Sequence, residues 1–234
     1  RSILCVVFAV VVWFGSGSYA AGASVELFSP EGSVKDIRQV TARFSEQMAA
    51  FGDPRPSDPF TVQCPGKGQG RWIDGKNWSY DFDETLPAGV SCTFTLRQNL
   101  RTLAGAAVTG RRTFTFNTGG PSVRESDPWA DSNEVEEGQT FLFRLDAPAT
   151  EASMMKNVSC SIEGVRERVG IRLITGEERK RVLREMGVSK KEQDSAVLFQ
   201  CRQAFPPGAH VKIVWGRGVA SRSGVATTKD QVLT

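Results

Sequence analysis

One histidine, His210, is the whole imidazole supply of this 234-residue chain. Mechanisms needing two or more imidazoles are thereby excluded, and with them most catalytic zinc sites. Net charge is scarce too: 29 Lys and Arg stand against 26 Asp and Glu, a formal +3 that is too little for an obligate polyanion binder. No serine sits in a G-x-S-x-G setting, the strained elbow of an α/β-hydrolase nucleophile. The run Gly66-Lys67-Gly68-Gln69-Gly70 lacks G-x-x-x-x-G-K-[ST], and no helical pattern follows it to supply a phosphate-binding N-terminus. It reads as a hairpin tip. Close C-x-x-C spacing is missing as well, which argues against a four-cysteine metal site.

What is present begins with Arg1 and the apolar run Ile3–Phe14, followed by small residues through Ala23. A positive residue, a short apolar core and a small-x-small end have the layout of a secretory signal peptide. Residues 1–23 are therefore assigned to it, with cleavage after Ala20 or after Ala23 both open. The run is shorter than the roughly 20 residues that cross a bilayer. Cys5 leaves with the leader. Without an initiator Met, and with no terminating pattern at Thr234, the chain reads as the amino-terminal piece of a longer protein.

Four cysteines remain, Cys64, Cys92, Cys160 and Cys201, an even number that reads as disulfides in an exported chain. Period-two patterns surround them: Val40, Ala42, Phe44; Trp78, Tyr80, Phe82; Val90, Cys92, Phe94, Leu96; and later Phe141, Phe143, Leu145; Val197, Phe199, Cys201; Val211, Ile213, Trp215. Such alternation, broken by Asp-Gly and Pro-Gly turns, predicts an all-β fold of two tandem immunoglobulin-like or macroglobulin-like antiparallel sandwiches. The expected domains are 24–119 and 120–234, divided near Thr118-Gly119-Gly120-Pro121. Each cysteine lies in phase with buried positions. Of the three pairings, Cys64–Cys92 and Cys160–Cys201 are favoured because separate cores rarely share a bridge. Thr175-Gly176-Glu177-Glu178 reads as a capping box opening a short helix near 176–187, inserted in the second sandwich. Glu177–Arg181 and Arg181–Glu185 are spaced as i,i+4 pairs along it, and Gly187 is its stop. Arg179-Lys180-Arg181 is interleaved with glutamates and reads as a solvated face, so no nucleic-acid partner is expected.

Candidate chemistry is thin. His210 precedes a strand just after Pro206-Pro207-Gly208, where a half-exposed turn residue is expected. Asp81 and Asp83 alternate with Tyr80 and Phe82 and belong on a wet strand face. One binding surface stays open: Trp72 and Trp78 as a sugar platform, with Asp74, Asp81 and Asp83 as its acids. No nucleophile, base and orienting group come together, so neither catalysis nor a cofactor or metal is expected.

Words scattered in order through the chain carry a resemblance: Ile37–Ser45 (IRQVTARFS), Phe51–Arg55 (FGDPR), Asp58–Phe60, Gly70–Trp78 (GRWIDGKNW), Tyr80–Phe82, and Leu86–Val90 leading to Cys92. Phe114–Pro121 (FTFNTGGP), Cys201-Arg202, Phe205–Gly208, Val214–Ala220 (VWGRGVA) and Ser223-Gly224 continue it. Together they resemble the amino-terminal region of bacterial alpha-2-macroglobulin family proteins, over nearly the whole chain after the leader. The resemblance implies large periplasmic or surface-facing protease inhibitors built of serial macroglobulin-like sandwiches, with a bait segment and, in many, a C-x-E-Q thioester. That motif does not occur here. The expected role is thus an exported scaffold at the cell envelope, near the membrane. Proteases would be partners through a downstream trap, and a peptidoglycan-synthesising penicillin-binding protein is a further implied partner. The alternative is an exported adhesive or carbohydrate-binding pair of immunoglobulin-like modules.

Overall fold

Short apolar–polar alternations cut by Pro, Gly and Asp produce strands with one dry and one wet face, and two such faces must be pressed together. A computed structural model describes residues 22–50, 52 and 57–234. Residues 1–21 of the signal-peptide assignment lie outside the described residues, as does most of the segment 51–55. Ala23, counted with the leader by sequence, instead joins the first core, its carbonyl accepting the Thr109 N–H at 2.7 Å. Within the described residues the chain is all-β with two short helices.

The first half contains β1 (Val25–Ser29), β2 (Gly32–Ser33), β3 (Gln39–Phe44), β4 (Phe60–Gln63), β5 (Gly68–Trp72), β6 (Asn77–Phe82), β7 (Ser91–Leu96) and β8 (Thr113–Asn117). They form two four-stranded sheets, ordered β1-β3-β6-β5 and β2-β8-β7-β4. The in-phase residues of β3, β6, β7 and β8 fill one core. Phe60 lies at its centre, meeting the rings of Phe28, Phe44, Trp78, Phe94 and Phe114 at centroid distances between 5.0 and 6.2 Å. These contacts are tilted or edge-on, the arrangement that ring quadrupoles favour.

The second half contains β9 (Val123–Asp127), β10 (Thr140–Leu145), α1 (Glu151–Asn157), β11 (Val158–Ile162), β12 (Val169–Leu173), α2 (Gly176–Glu185), β13 (Ala196–Cys201), β14 (Val211–Trp215) and β15 (Gln231–Leu233). Its strands make one seven-stranded sheet, β15-β14-β11-β12-β13-β10-β9, that folds over its own core. A side chain brings the two outer strands back together. Gln231 Nε2 donates to the Val123 carbonyl at 2.9 Å, and Gln231 Oε1 accepts the Val123 N–H at 3.0 Å.

Strict alternation fails on β10 and β13, where Leu142, Ala196 and Leu198 are buried as well as their neighbours. These outward residues pack under α2 with Ile174, Leu183 and Val188. A sheet covered on both faces needs apolar residues at successive positions, and Phe141-Leu142-Phe143 and Ala196–Phe199 carry that signal.

Around α2 several local expectations are corrected. Thr175 makes no side-chain cap; it leads into Gly176 at φ +63°, and its carbonyl accepts the Arg179 N–H instead. A left-handed residue at the first helical position breaks the geometry by which an N-cap hydroxyl reaches the third amide. Glu177 pairs with Lys180 at 2.6 Å rather than with Arg181. Arg179 turns back onto the carbonyls of Gln193 and Ala196, so it is not part of a free basic face. The helix stop matches its expectation: Gly187 has φ +69°, with Val188 N–H bonded to Leu183 O and Gly187 N–H to Arg184 O.

A last correction concerns Gly68 and Gly70, which belong to edge strand β5 paired with β6 rather than to a hairpin tip. A Cβ on Gly70 would sit 2.1 Å from Asp58 Oδ1 and 2.7 Å from the Trp78 ring. The glycines permit close approach of a neighbour, the positional meaning of glycine in a strand.

Cys64–Cys92 and Cys160–Cys201 are bonded, one bridge in each core, closing spans of 28 and 41 residues. Chain-entropy arithmetic puts each at about 3–4 kcal/mol of stabilisation. Replacing Cys160 and Cys201 together by Ala should lower the unfolding free energy by about 2–5 kcal/mol, read by urea denaturation. Non-reducing peptide mapping should find both intradomain pairs and no peptide joining the two halves.

Candidate functional site

With two separate cores, the place where the halves meet determines what the chain can present to a partner. Thr118, Gly119, Gly120 and Pro121 run between β8 and β9 and are all buried. The stretch expected to divide the two domains is walled in. Thr118 Oγ1 donates to Pro87 O at 2.8 Å and accepts the Val90 N–H at 3.0 Å. A Cβ on Gly120 would fall 2.2 Å from Thr227 N and 2.3 Å from Ala226 C, so only hydrogen fits. Trp215, in the core of the second sandwich, donates Nε1–H to Pro121 O at 2.8 Å.

Two polar clasps flank this passage. The Gly89 carbonyl accepts the hydroxyls of Ser221, at 2.6 Å, and Ser223, tying the β6–β7 turn to the second domain. Lys35 reaches across to Asp146, 111 residues away, and also donates to Ser122 Oγ at 2.8 Å. Asp146 further accepts the Ser122 N–H at 2.7 Å and the Ser122 hydroxyl at 2.6 Å. Its side chain is 5% exposed. Burial opposes the charged carboxylate, but the Lys35 ammonium and the two Ser122 donors outweigh it and hold the pKa below the ordinary carboxylate value.

The candidate binding surface does not come together as one face. Trp78 is 0% exposed and donates to Asp58 Oδ1 at 3.3 Å, so no ligand can stack on it. Trp72 packs half-buried against Phe44 at 5.5 Å on the same inward side. Alternation that looked like a row of available aromatics is the dry face of β6 and its neighbour β5. Asp74 is exposed but occupied with its own turn, accepting the Lys76 and Asn77 amides at 2.8 Å each and Asn77 Nδ2 at 2.7 Å. Bonds from Asn77 foremost, then the Lys76 amide, lower its pKa. Asp81 accepts Gln39 and Arg71, each at 2.6 Å, and these lower its pKa too. Asp83 is exposed beyond the strand end.

His210 is more exposed than a half-buried turn residue, its side chain 82% accessible, with Nε2 3.9 Å from Glu163 Oε2. It stands on the rim of a cavity of about 610 Å³ at one end of the second sandwich. Phe141, Phe143, Phe205, Ile213 and Leu233 line the depth of that cavity, and Trp129, Asp131, Glu134 and Glu137 lie around its mouth. Among the described residues, no three His, Cys, Asp or Glu are placed to hold a metal ion. No helix among them is long and apolar enough to cross a membrane. Sequence reasoning missed Lys35 with Asp146 and Gly89 with Ser221, pairs separated by 111 and 132 residues that leave no local pattern. It also passed over Trp129.

No protein-family model matches this chain, and no curated protein matches it. Among solved structures it is similar to an L,D-transpeptidase from Mycobacterium tuberculosis H37Rv, at 15% identity and TM-score 0.31, covering 65% of each chain. An L,D-transpeptidase from Mycobacterium smegmatis matches at 16% identity and TM-score 0.30, over 88% of this chain and 79% of that one. The N-terminal part of the bacterial S-layer protein SbsC matches at 13% and 0.30, over 92% of this chain and 44% of that one. The chain thus spans less than two thirds of the first and under half of the third. Likenesses this slight carry no argument about activity.

Asp146→Ala should cost about 1–3 kcal/mol, because it strands the Ser122 donors at a buried site, and small-angle scattering should show a less defined angle between the halves. The carboxyl is depressed in the folded state, so its contribution is whole at neutral pH and disappears only as pH falls through the folded pKa. Loosening should therefore appear in acid, and Asp146→Asn should abolish that pH dependence. Gly120→Val should destabilise the chain more than Gly105→Val, where the Cβ site is open and only a φ of +85° resists a side chain. Thermal unfolding of the two variants checks the order.

Proposed function

We propose that this chain is the amino-terminal scaffold region of an exported bacterial alpha-2-macroglobulin-like protease inhibitor, working at the periplasmic face of the envelope. The sequence resemblance supplies the family. The observation that supports the scaffold role is the joint: two disulfide-stapled sandwiches held by a buried passage and two polar clasps. Stiff tandem modules suit a framework that places a distant trap. Disulfides fit an oxidising compartment outside the cytoplasm.

On this reading the bait, and a thioester where one exists, belong to sequence downstream, and proteases meet the protein there. A penicillin-binding protein that builds peptidoglycan is a partner consistent with a location near the membrane. The adhesive or sugar-binding reading is disfavoured by Trp78, which lies wholly inside the core.

Mixed with serine, cysteine and metalloproteases, this chain alone should leave their activity unchanged and yield no covalent adduct on denaturing gels. Stoichiometric covalent capture by the isolated chain contradicts the scaffold role. Reading the gene beyond Thr234 should reveal further sandwich domains and a protease-sensitive segment; a frame that closes without them removes the family assignment.

A further inference from the structure

The two outer strands of the second sandwich are pinned at one end. Every neighbouring pair in the order β15-β14-β11-β12-β13-β10-β9 is antiparallel, so β9 and β15 run in the same direction. Gln231 joins their starts through its side chain, and their far ends, at Ser126 and Leu233, line the cavity of about 610 Å³. That volume lies within the range of about 300–1,000 Å³ common for ligand sites. Apolar side chains from inside the sandwich form its depth, and the strand edges beside it are the kind that accept an added chain.

The loop over the mouth is held at two points. Asp131 N–H donates to Thr234 O at 2.6 Å, and Phe205 N–H donates to Glu137 O at 3.0 Å. The cavity is thus walled by tethered backbone. From Asp127 to Glu137 the chain has five acidic residues and no basic one, in a protein whose formal charge is +3. At the same rim Trp129 is 76% exposed, against 0% for Trp78 and 1% for Trp215. A large exposed indole beside an apolar cavity marks a contact surface, since tryptophan is among the residues most enriched at the energetic centres of interfaces.

We infer that this mouth takes an extended basic segment of a partner protein, placing one large apolar side chain in the cavity and its Lys or Arg residues against Asp131, Glu134 and Glu137. Opposite charge selects the occupant: an acidic rim repels acidic peptides and anionic lipid surfaces and draws cationic chains in. Trp129 supplies a ring face to a cationic or apolar side chain at the rim. A binding mouth is compatible with a framework, an adhesin or another exported module; because Thr234 O is bonded at its rim, occupation of the cavity by residues after Thr234 in a longer chain, as the scaffold reading has it, overturns the inference.

The test uses this chain and a fluorescein-labelled peptide of lysines around a central leucine, read by anisotropy at low and physiological salt. Binding should be saturable and weaken with salt. A peptide with glycine at the centre, and a chain carrying Glu134→Lys with Glu137→Lys, should each bind roughly tenfold or more weakly. Trp129→Ala should weaken binding in the same direction. These substitutions are at exposed positions, and unchanged circular dichroism and thermal midpoint verify the fold. Absence of saturable binding, equal affinity for the glycine peptide, equal affinity of a glutamate-for-lysine peptide, or indifference to the charge reversal overturns the proposal. Concentration-dependent dimerisation lost on Trp129→Ala would instead assign the mouth to a second copy of this chain and overturn it likewise. Protease capture is a separate readout, so failure here leaves the scaffold reading where it stood.

Discussion

The carboxylate of Asp146 lies between the two halves and takes its hydrogen-bonded cation, Lys35, from the other one, with Arg124 of its own half farther off at 3.8 Å. A buried carboxylate is costly unless donors replace its water. Here Ser122 supplies two, and Lys35 supplies the third along with the nearer countercharge. Apolar surfaces can slide over one another with little change in energy, but a directed set of hydrogen bonds is satisfied in one arrangement. The clasp at Gly89 adds a second fixed point, where two serine hydroxyls converge on a single carbonyl. Two points and a buried passage define one orientation of the first sandwich against the second.

Each half reaches its stability by a different route. The first presses two four-stranded sheets around an aromatic centre at Phe60, with Cys64–Cys92 at one side of the core. The second bends one sheet until its ends meet, and its outer face is roofed by α2. Meeting through the side chain of Gln231 rather than through a full ladder leaves the far end open. The cavity and the acidic mouth follow from that incomplete closure, so the feature most suited to binding is a consequence of how the sheet ends.

Glycine and aromatic residues illustrate how the same letters serve packing rather than ligand chemistry. Gly68 and Gly70 lie in a glycine-rich run that invites a phosphate reading, yet their missing Cβ atoms make room for Tyr80, Trp78 and Asp58. Trp72 and Trp78 invite a sugar platform, yet cross-strand pairing places both toward the core. By contrast Trp129, flanked by acids and outside any strand, stands in solvent.

Period-two patterning and turn residues established from the chain itself an all-β fold in tandem sandwiches, most of the buried faces and the helix stop at Gly187, while the two disulfide pairs were favoured there among three and settled by the structure. These are local properties: which face a side chain takes follows from its neighbours two residues away, and a left-handed stop needs only a glycine. The double-sided burial of β10 and β13 was also written locally, in Phe141-Leu142-Phe143, although alternation alone hides it. The joint, the closure by Gln231, the burial of Thr118–Pro121 and the mouth beside Trp129 were decided only by the tertiary structure. Their bonds join residues about a hundred positions apart, such as Lys35 with Asp146 and Val123 with Gln231. A pattern that repeats every two residues holds no information about such distances; only the packing of whole sheets brings those groups within reach.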